Sequence, residues 1–219
     1  MKNIIIPEVN NQLSGFTYIP NFLSTQYADI IRYELDKIED WKIGYNYQKN
    51  AIQRKQKWYQ TSNQSFCKKW KVKHDRWESH VYTDTLLNLQ KYLESSILNI
   101  LPKHNSIQIP KFNSLLINYY QDGNNFIAPH QDSKESFGCH PTIALLSFGE
   151  TRKFVLERTI EDNLKRNKNE YHLNQEFNLD DNSLFIMSGS SQRYFCHSIV
   201  KELDKSHSRF SLTFREYID

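Results

Sequence analysis

Two histidines and an aspartate give this sequence its clearest potential for metal chemistry. His130 and Asp132 are separated by one residue, and residues i and i+2 of a β-strand point to the same side, where they can share one metal ion. His197, in a later apolar segment, is the best candidate for a third ligand. Spacing alone does not exclude three other histidines, which are His140, His172 and His207. Two histidines and one carboxylate are typical of non-haem iron(II) oxygenases, because they leave coordination positions open.

The HxD pattern is short enough to occur by chance, but a polar set near the C-terminus supports it. If residues 209–215 form a strand, its polar side chains share one face. They are Arg209, Ser211, Thr213 and Arg215. Buried arginines are unfavourable unless they meet anions, such as the two carboxylates of a dicarboxylate co-substrate. A half-exposed edge strand with a polar outer face is the alternative. Asn118 and Tyr120 would likewise share a strand face and could donate hydrogen bonds to the same ligand.

The elements that must position these residues follow two patterns. Apolar residues recur at helical spacing over residues 25–40, with Ser24 as the cap, and over residues 84–100, ending before Pro102. After Pro110, short β-branched and aromatic runs separated by turn residues predict strands. These strands cover residues 114–120, 142–148, 153–157, 183–188, 194–200 and 209–217. Residues 161–171 are polar and predict an exposed loop. The pattern indicates helices first, followed by a sandwich, barrel or jelly roll.

Residues 54–76 combine positive charge with aromatic side chains. They contain eight lysines and arginines and one acid, Asp75, with Trp58, Tyr59, Phe66 and Trp70 between them. Cations for phosphates and aromatic rings for bases are the composition of a nucleic-acid surface. A solvated charged loop whose aromatic residues fold back onto the core has the same composition.

Composition limits the class of protein. The 219 residues suffice for one domain, and 38% apolar with 24% charged residues indicate a globular chain. A formal net charge of +3 is too small to indicate nucleic-acid binding by itself. Three cysteines without a CxxC pair argue against a disulfide framework and favour an intracellular, cytoplasmic or nuclear, protein. We expect no signal peptide, no membrane span and a monomer.

The motifs taken together resemble the AlkB-like 2-oxoglutarate- and iron-dependent dioxygenases, and the resemblance covers residues 16–217. It rests on the order FTYIPNFL (16–23), RKQKWY (54–59), FNSLLINYYQDG (112–123), HQD (130–132), TIALLSFG (142–149), RKFVL (152–156), the His197 segment and RFSLTFR (209–215).

The resemblance implies a single α+β, mainly β, domain: a double-stranded β-helix, or jelly roll, over residues 110–217, buttressed by N-terminal helices. It implies iron(II) bound by His130, Asp132 and His197. It also implies 2-oxoglutarate held by a second set, Asn118, Tyr120, Arg209, Thr213 and Arg215, with O2 as the other co-substrate. Residues 49–80 would form a substrate lid. The implied reaction is oxidative demethylation of alkylated nucleobases in DNA or RNA, which releases formaldehyde, succinate and CO2.

The sequence departs from the family pattern near the substrate. Ser133 and Lys134 stand where acidic residues usually follow the metal aspartate, and Glu135 comes one position later. The residues expected to contact substrate are therefore Arg54, Tyr59, Phe66 and Glu135. Ser211 also replaces a common asparagine of the terminal motif. Two alternatives stay open: an oxygenase of the same fold that acts on a protein or small molecule, and a non-catalytic nucleic-acid-binding module. A zinc hydrolase would leave Arg209 and Arg215 without a role.

Overall fold

The computed structural model describes residues 1–45, 51–61, 78–159 and 174–218. The helices in these ranges are α1 (Thr25–Asp36), α2 (Asp84–Ile97) and two single-turn helices, α3 (Lys134–Phe137) and α4 (Ser191–Tyr194). The strands are β1 (Lys2–Glu8), β2 (Gln12–Ile19), β3 (Lys42–Tyr45), β4 (Ala51–Gln60), β5 (Ser79–Val81), β6 (Ser114–Tyr120), β7 (Ile127–His130), β8 (Ile143–Gly149), β9 (Arg152–Arg158), β10 (Gln175–Leu179), β11 (Ser183–Gly189), β12 (Phe195–Ile199) and β13 (Arg209–Arg215). A 3-10 turn, Val9–Asn11, joins the first two strands.

The strands form two sheets. The large sheet has nine strands in the order β1-β2-β11-β8-β13-β6-β4-β3, with β5 beside β4. The small sheet has four strands in the order β10-β9-β12-β7. All pairs are antiparallel except β4 with β5. Two mainly antiparallel sheets are typical of a jelly roll.

The central strands of the large sheet are buried on both faces. Helices α1 and α2 cover one face through an apolar cluster that includes Ile31, Leu35, Leu89, Leu93, Leu115, Ile117, Leu146 and Leu212. The opposite face packs on the small sheet through a second cluster that includes Phe16, Leu145, Phe154, Leu156, Phe185 and Phe195. The adjacent leucines 145 and 146 belong to different clusters, because successive side chains of a strand point to opposite faces.

The helices begin and end close to the predicted positions. Ser24 caps α1 as predicted, with its Oγ accepting a hydrogen bond from the Tyr27 amide at 3.3 Å. The hydroxyl of Thr83 caps α2 in the same way. Both helices end earlier than predicted, at Asp36 rather than residue 40 and at Ile97 rather than residue 100. None of the described helices is both long enough and apolar enough to span a membrane.

The N-terminal third was predicted incompletely. Strands β1 and β2 precede the helices and extend the large sheet next to β11, so the order of helices followed by strands was wrong. Within the predicted lid, residues 51–60 form strand β4, which pairs with β6 in the large sheet. The polar insert at 161–171 lies outside the described residues.

Candidate metal centre and co-substrate cavity

Strand pairing brings His130 and His197 together. His130 ends β7, His197 lies in β12, and the two residues are directly opposite each other in the ladder. Their ring centroids are 4.2 Å apart. Asp132 follows two residues after His130, just beyond the strand end, and its carboxylate completes the group. One donor atom from each of the three side chains lies within 4.8 Å of the others, which is close enough for all three to bind one metal ion.

Hydrogen bonds around this group leave metal-binding atoms free. The His130 Nδ1 atom lies 2.9 Å from the Ala128 carbonyl oxygen. A proton on Nδ1 would be donated to this carbonyl, which leaves Nε2 available to a metal, as is common for metal-binding histidines. His197 is buried, and its Nδ1 has no hydrogen-bond partner among the described residues.

Helix α4 fixes the turn that carries Asp132. The Gln192 Oε1 atom accepts a hydrogen bond from the Asp132 amide at 2.9 Å. Gln131 donates from its side chain to the Arg193 carbonyl at 3.1 Å. Gln192 is a functional residue that the sequence does not reveal, because it lies sixty residues from Asp132 in the chain and no local pattern links the two.

Arg215 forms a bidentate ion pair with Asp132. Its Nε and Nη2 atoms donate to the two carboxylate oxygens at 2.6 and 3.2 Å, respectively. Burial alone would raise the Asp132 pKa, but Arg215 and His197 outweigh this effect and lower it to about 2. Burial, reinforced by His130, lowers the pKa of His197 to about 3, and burial also lowers that of His130. At neutral pH the group is therefore a carboxylate with two neutral imidazoles, the protonation state that a metal ion requires.

A cavity of about 260 Å³ opens beside the three side chains. Its polar lining comes from Arg54, Gln56, Asn118, Tyr120, Ser211, Thr213 and Arg215, and its apolar lining from Leu116, Leu145, Phe154, Met187 and Ile199. Strand β13 lies between β8 and β6, so it is a central strand and not the half-exposed edge strand considered as an alternative. Of the four residues predicted to share the polar face of β13, Ser211, Thr213 and Arg215 line this cavity and Arg209 does not.

Arg209 is fully buried and incompletely paired. Its Nη2 donates to the Ser147 hydroxyl at 2.8 Å, and its guanidinium carbon lies 5.1 Å from the centre of the Tyr120 ring. Its Nε and Nη1 atoms have no hydrogen-bond partner among the described residues. Burial lowers the pKa of Arg209 to about 10, which leaves the side chain charged at neutral pH. A buried cation with two free donors is suited to receive a carboxylate.

The four residues expected to contact substrate are placed differently from one another. Arg54 lines the cavity. Tyr59 does not, because its side chain is buried in the cluster under the helices, near His80 and Tyr82. The expectation that Tyr59 contacts a base is therefore wrong. Successive residues of strand β4 face opposite sides of the sheet, and the Tyr59 side chain faces the helices rather than the cavity. Glu135 is exposed on α3 and is not part of the cavity lining. Phe66 lies outside the described residues.

Two of the three alternative histidine ligands, His140 and His207, lie in the described part of the chain and do not join the metal group. His140 lies 3.1 Å from the Ser190 hydroxyl, and the exposed His207 lies 3.0 Å from Glu150. His172 lies outside the described residues, as does most of the basic segment beyond residue 61.

Relatives in sequence match about half of the chain. A protein of Arabidopsis thaliana named DNA oxidative demethylase ALKBH2 is 34% identical over 120 residues, covering 48% of this chain and 38% of the relative. The alpha-ketoglutarate-dependent dioxygenase alkB homolog 3 of Mus musculus is 36% identical over 104 residues, covering 48% of this chain and 36% of the relative. The chain thus aligns with well under half the length of these relatives.

Solved structures match the fold over nearly the whole chain. The structure of OsALKBH1 gives a TM-score of 0.60 at 14% identity and covers 92% of this chain and 97% of its own. A prolyl hydroxylase from Trichoplax adhaerens gives a TM-score of 0.56 at 13% identity and covers 93% of this chain and 83% of its own. Both support the predicted jelly-roll fold. A family model described as the 2OG-Fe(II) oxygenase superfamily matches residues 15–215. The chain belongs to the 2OG-Fe(II) oxygenase superfamily.

Proposed function

We propose that the chain is an iron(II)- and 2-oxoglutarate-dependent dioxygenase that oxidatively demethylates alkylated nucleobases in DNA or RNA. The observation that carries the proposal is the placement of two groups around one cavity. The His130, Asp132 and His197 side chains form a group that could hold one metal ion. Three polar residues of β13, Ser211, Thr213 and Arg215, line the same cavity. Membership of the superfamily supplies the pairing of iron(II) with 2-oxoglutarate.

The residues present fit both groups. His130, Asp132 and His197 would bind iron(II), since two imidazoles and one carboxylate are the ligand set of this class of iron site. Arg209 would bind a carboxylate of 2-oxoglutarate through the two donors that lack partners among the described residues. Asn118, Tyr120, Thr213 and Arg215 would bind its remaining oxygens. The chemistry supplied by bound iron(II), 2-oxoglutarate and O2 is oxidation of an N-methyl carbon, which releases formaldehyde, succinate and CO2.

The protein's contribution is orientation, charge and exclusion of water. Gln192 holds the backbone of Asp132, and Arg215 holds its carboxylate. Leu116, Phe154 and Met187 form part of the apolar wall of the cavity. Such a wall would exclude water from the site and so strengthen the polar interactions inside it.

The nucleic-acid substrate is supported by the relatives and by the charge of the chain. One relative is named a DNA oxidative demethylase. Arg54 lines the cavity and begins the basic segment with its interleaved aromatic residues. Bases that are oxidised by such enzymes must leave the stack, and cations beside the cavity would hold the flanking phosphates. A monomeric, intracellular protein is part of the same proposal and rests on the sequence expectations.

A different substrate is the second candidate. Tyr59 faces the core and Glu135 is exposed, so two residues expected to contact a base are absent from the cavity wall. The same oxygenase chemistry on a protein or small molecule would not need them.

The test is a coupled assay of succinate and formaldehyde. Protein purified without oxygen is supplied with iron(II), 2-oxoglutarate and O2, with or without oligonucleotides that carry N-methylated bases. We expect formaldehyde to appear with the methylated oligonucleotides, in proportion to succinate, and both to disappear in Asp132→Ala. Asp29→Ala is the matched control, because Asp29 forms an exposed ion pair with Arg32. Succinate without formaldehyde for every methylated oligonucleotide would favour the second candidate. No succinate from an iron-loaded protein under any condition would refute the oxygenase proposal.

A further inference from the structure

Two side chains of strand β4 hold the carboxamide of Asn118. Gln56 lies directly opposite Asn118 in the pairing of β4 with β6. The Gln56 Nε2 atom donates to the Asn118 Oδ1 atom at 2.9 Å, and the Arg54 Nε atom donates to the same oxygen, also at 2.9 Å. Arg54 and Gln56 are two residues apart, so their side chains leave the strand on the same side.

These two hydrogen bonds fix the orientation of the Asn118 amide. A carboxamide oxygen has two lone pairs, and Arg54 and Gln56 occupy both. A rotated amide would instead place its NH2 group against two donors and lose both hydrogen bonds. Asn118 is buried and lines the cavity, and no hydrogen bond from its Nδ2 atom is found among the described residues. The amide donor is therefore left for a group inside the cavity.

Arg54 also connects this arrangement to the strand that carries His130. Its Nη1 donates to the Phe126 carbonyl oxygen at 3.2 Å, and Phe126 is the residue immediately before β7. Arg54 lines both the cavity and a neighbouring groove between β4 and residues 121–126. One side chain thus separates the two spaces and links the Asn118 amide to the start of the metal-binding strand.

We propose that Gln56 and Arg54 are positioning residues for 2-oxoglutarate, which act by presenting the Asn118 NH2 group to an oxygen of the co-substrate. The inference rests on the proposed function, in which Asn118 contacts 2-oxoglutarate. Gln56 supplies orientation only, and Arg54 supplies orientation together with the link to β7. Polar residues at positions 54 and 56 of β4 supply the hydrogen bonds that the buried Asn118 oxygen needs.

The test measures 2-oxoglutarate affinity by titration calorimetry, with Mn(II) in place of iron(II) so that no turnover occurs. Gln56→Leu removes one donor at nearly constant size, and we expect affinity to fall about threefold to tenfold. Gln56→Glu places an acceptor against the Asn118 oxygen, and we expect a larger loss. Gln60→Leu is the matched control, because Gln60 lies on the same face of β4 and is equally buried, at 3% exposure for both, but does not line the cavity. We expect its affinity to stay within about twofold of wild type.

A double-mutant cycle separates positioning from a structural effect. If Gln56 acts through Asn118, Gln56→Leu has no further effect on affinity when it is added to Asn118→Ala. An equal loss of affinity in both backgrounds would overturn the proposal, as would unchanged affinity in Gln56→Leu. If Gln56→Leu does not fold, as judged by its thermal transition, Arg54→Lys enters the same cycle and is judged by the same two outcomes.

The cycle also distinguishes this inference from the proposed function. Wild-type protein that binds 2-oxoglutarate while Gln56→Leu binds it equally well contradicts the positioning role alone. Wild-type protein with Mn(II) bound that does not bind 2-oxoglutarate contradicts the proposed function, and the positioning role with it.

Discussion

Replacing Arg209 by methionine tests whether this buried cation binds 2-oxoglutarate but destabilises the ligand-free protein. Arg209 is 0% exposed, and two of its donors have no partner among the described residues. Burial lowers its pKa from 12.5 to about 10, which corresponds to roughly 3 kcal/mol of unfavourable free energy for the charged form. Methionine removes this unfavourable free energy of burying the charge. The Ser147 hydroxyl loses its hydrogen-bond partner, however, which costs about 1 kcal/mol. We expect the free energy of unfolding of the ligand-free protein to rise by about 1–2 kcal/mol in Arg209→Met.

The response to 2-oxoglutarate should change in the opposite direction. In wild type, a ligand concentration about 100 times the Kd adds about 2.7 kcal/mol to the free energy of unfolding. Loss of a buried guanidinium–carboxylate pair weakens binding by about 100-fold or more, so the same concentration adds less than about 0.5 kcal/mol in Arg209→Met. Urea unfolding with Mn(II), in the presence and absence of 2-oxoglutarate, measures both effects.

Arg152→Met is the matched control. Arg152 is also buried, but it donates to Glu202 and to four backbone carbonyl oxygens, those of Asp122, Gly123, Asn125 and Val200. Its loss leaves a carboxylate and several carbonyls unpaired, so we expect a destabilisation of about 3 kcal/mol or more. A role for Arg209 in binding 2-oxoglutarate is refuted if Arg209→Met is destabilised like Arg152→Met and still gains as much stability from 2-oxoglutarate as wild type does.

Three further predictions concern acid, the metal site and the core. In metal-free protein, the pKa of His197 falls from 6.5 to about 3, so the unfolded chain takes up this proton first. Stability should therefore fall by up to about 1.4 kcal/mol per pH unit between pH 6.5 and 3, and an unchanged pH slope of Tm in His197→Gln would contradict this. Gln192→Leu removes the acceptor of the Asp132 amide and should weaken Mn(II) binding about tenfold in a chelator competition; equal affinity would show that α4 does not hold Asp132. Tyr59→Phe should leave formaldehyde formation unchanged, because the Tyr59 ring lies in the core under the helices; a loss of activity without a loss of stability would return Tyr59 to the substrate site.

The predictions from sequence succeeded where the pattern is local. The alternation of residues 209–215 correctly placed Ser211, Thr213 and Arg215 together in the cavity lining, whereas Arg209, on the same face of β13, is not a lining residue. The spacing of His130 and Asp132 correctly indicated that they lie close together, although Asp132 follows the strand rather than ending it. Ser24 was identified as a cap, because the interaction spans three residues.

The predictions failed where the partner is distant in sequence. Strand β1 contains Pro7 and lacks a regular alternation, and its place in the sheet depends on β2, which pairs with β11 more than 160 residues later. The sequence around Tyr59 does not indicate which face of β4 lines the cavity. Only the pairing of β4 with β6 decides that Gln56 faces the cavity and Tyr59 the helices.

The position of β7 has a consequence for local unfolding. Among the described strands, this four-residue strand lies at the edge of the small sheet and pairs only with β12. It contains Pro129, which cannot donate to a ladder. An ion bound by His130 and His197 would join the edge strand to β12 through side chains, across the pair where the backbones already meet. Amide hydrogen exchange in residues 127–132 would then report metal occupancy, because opening of this edge would require release of the ion. The edge strand and the metal site would thus open as a single unit.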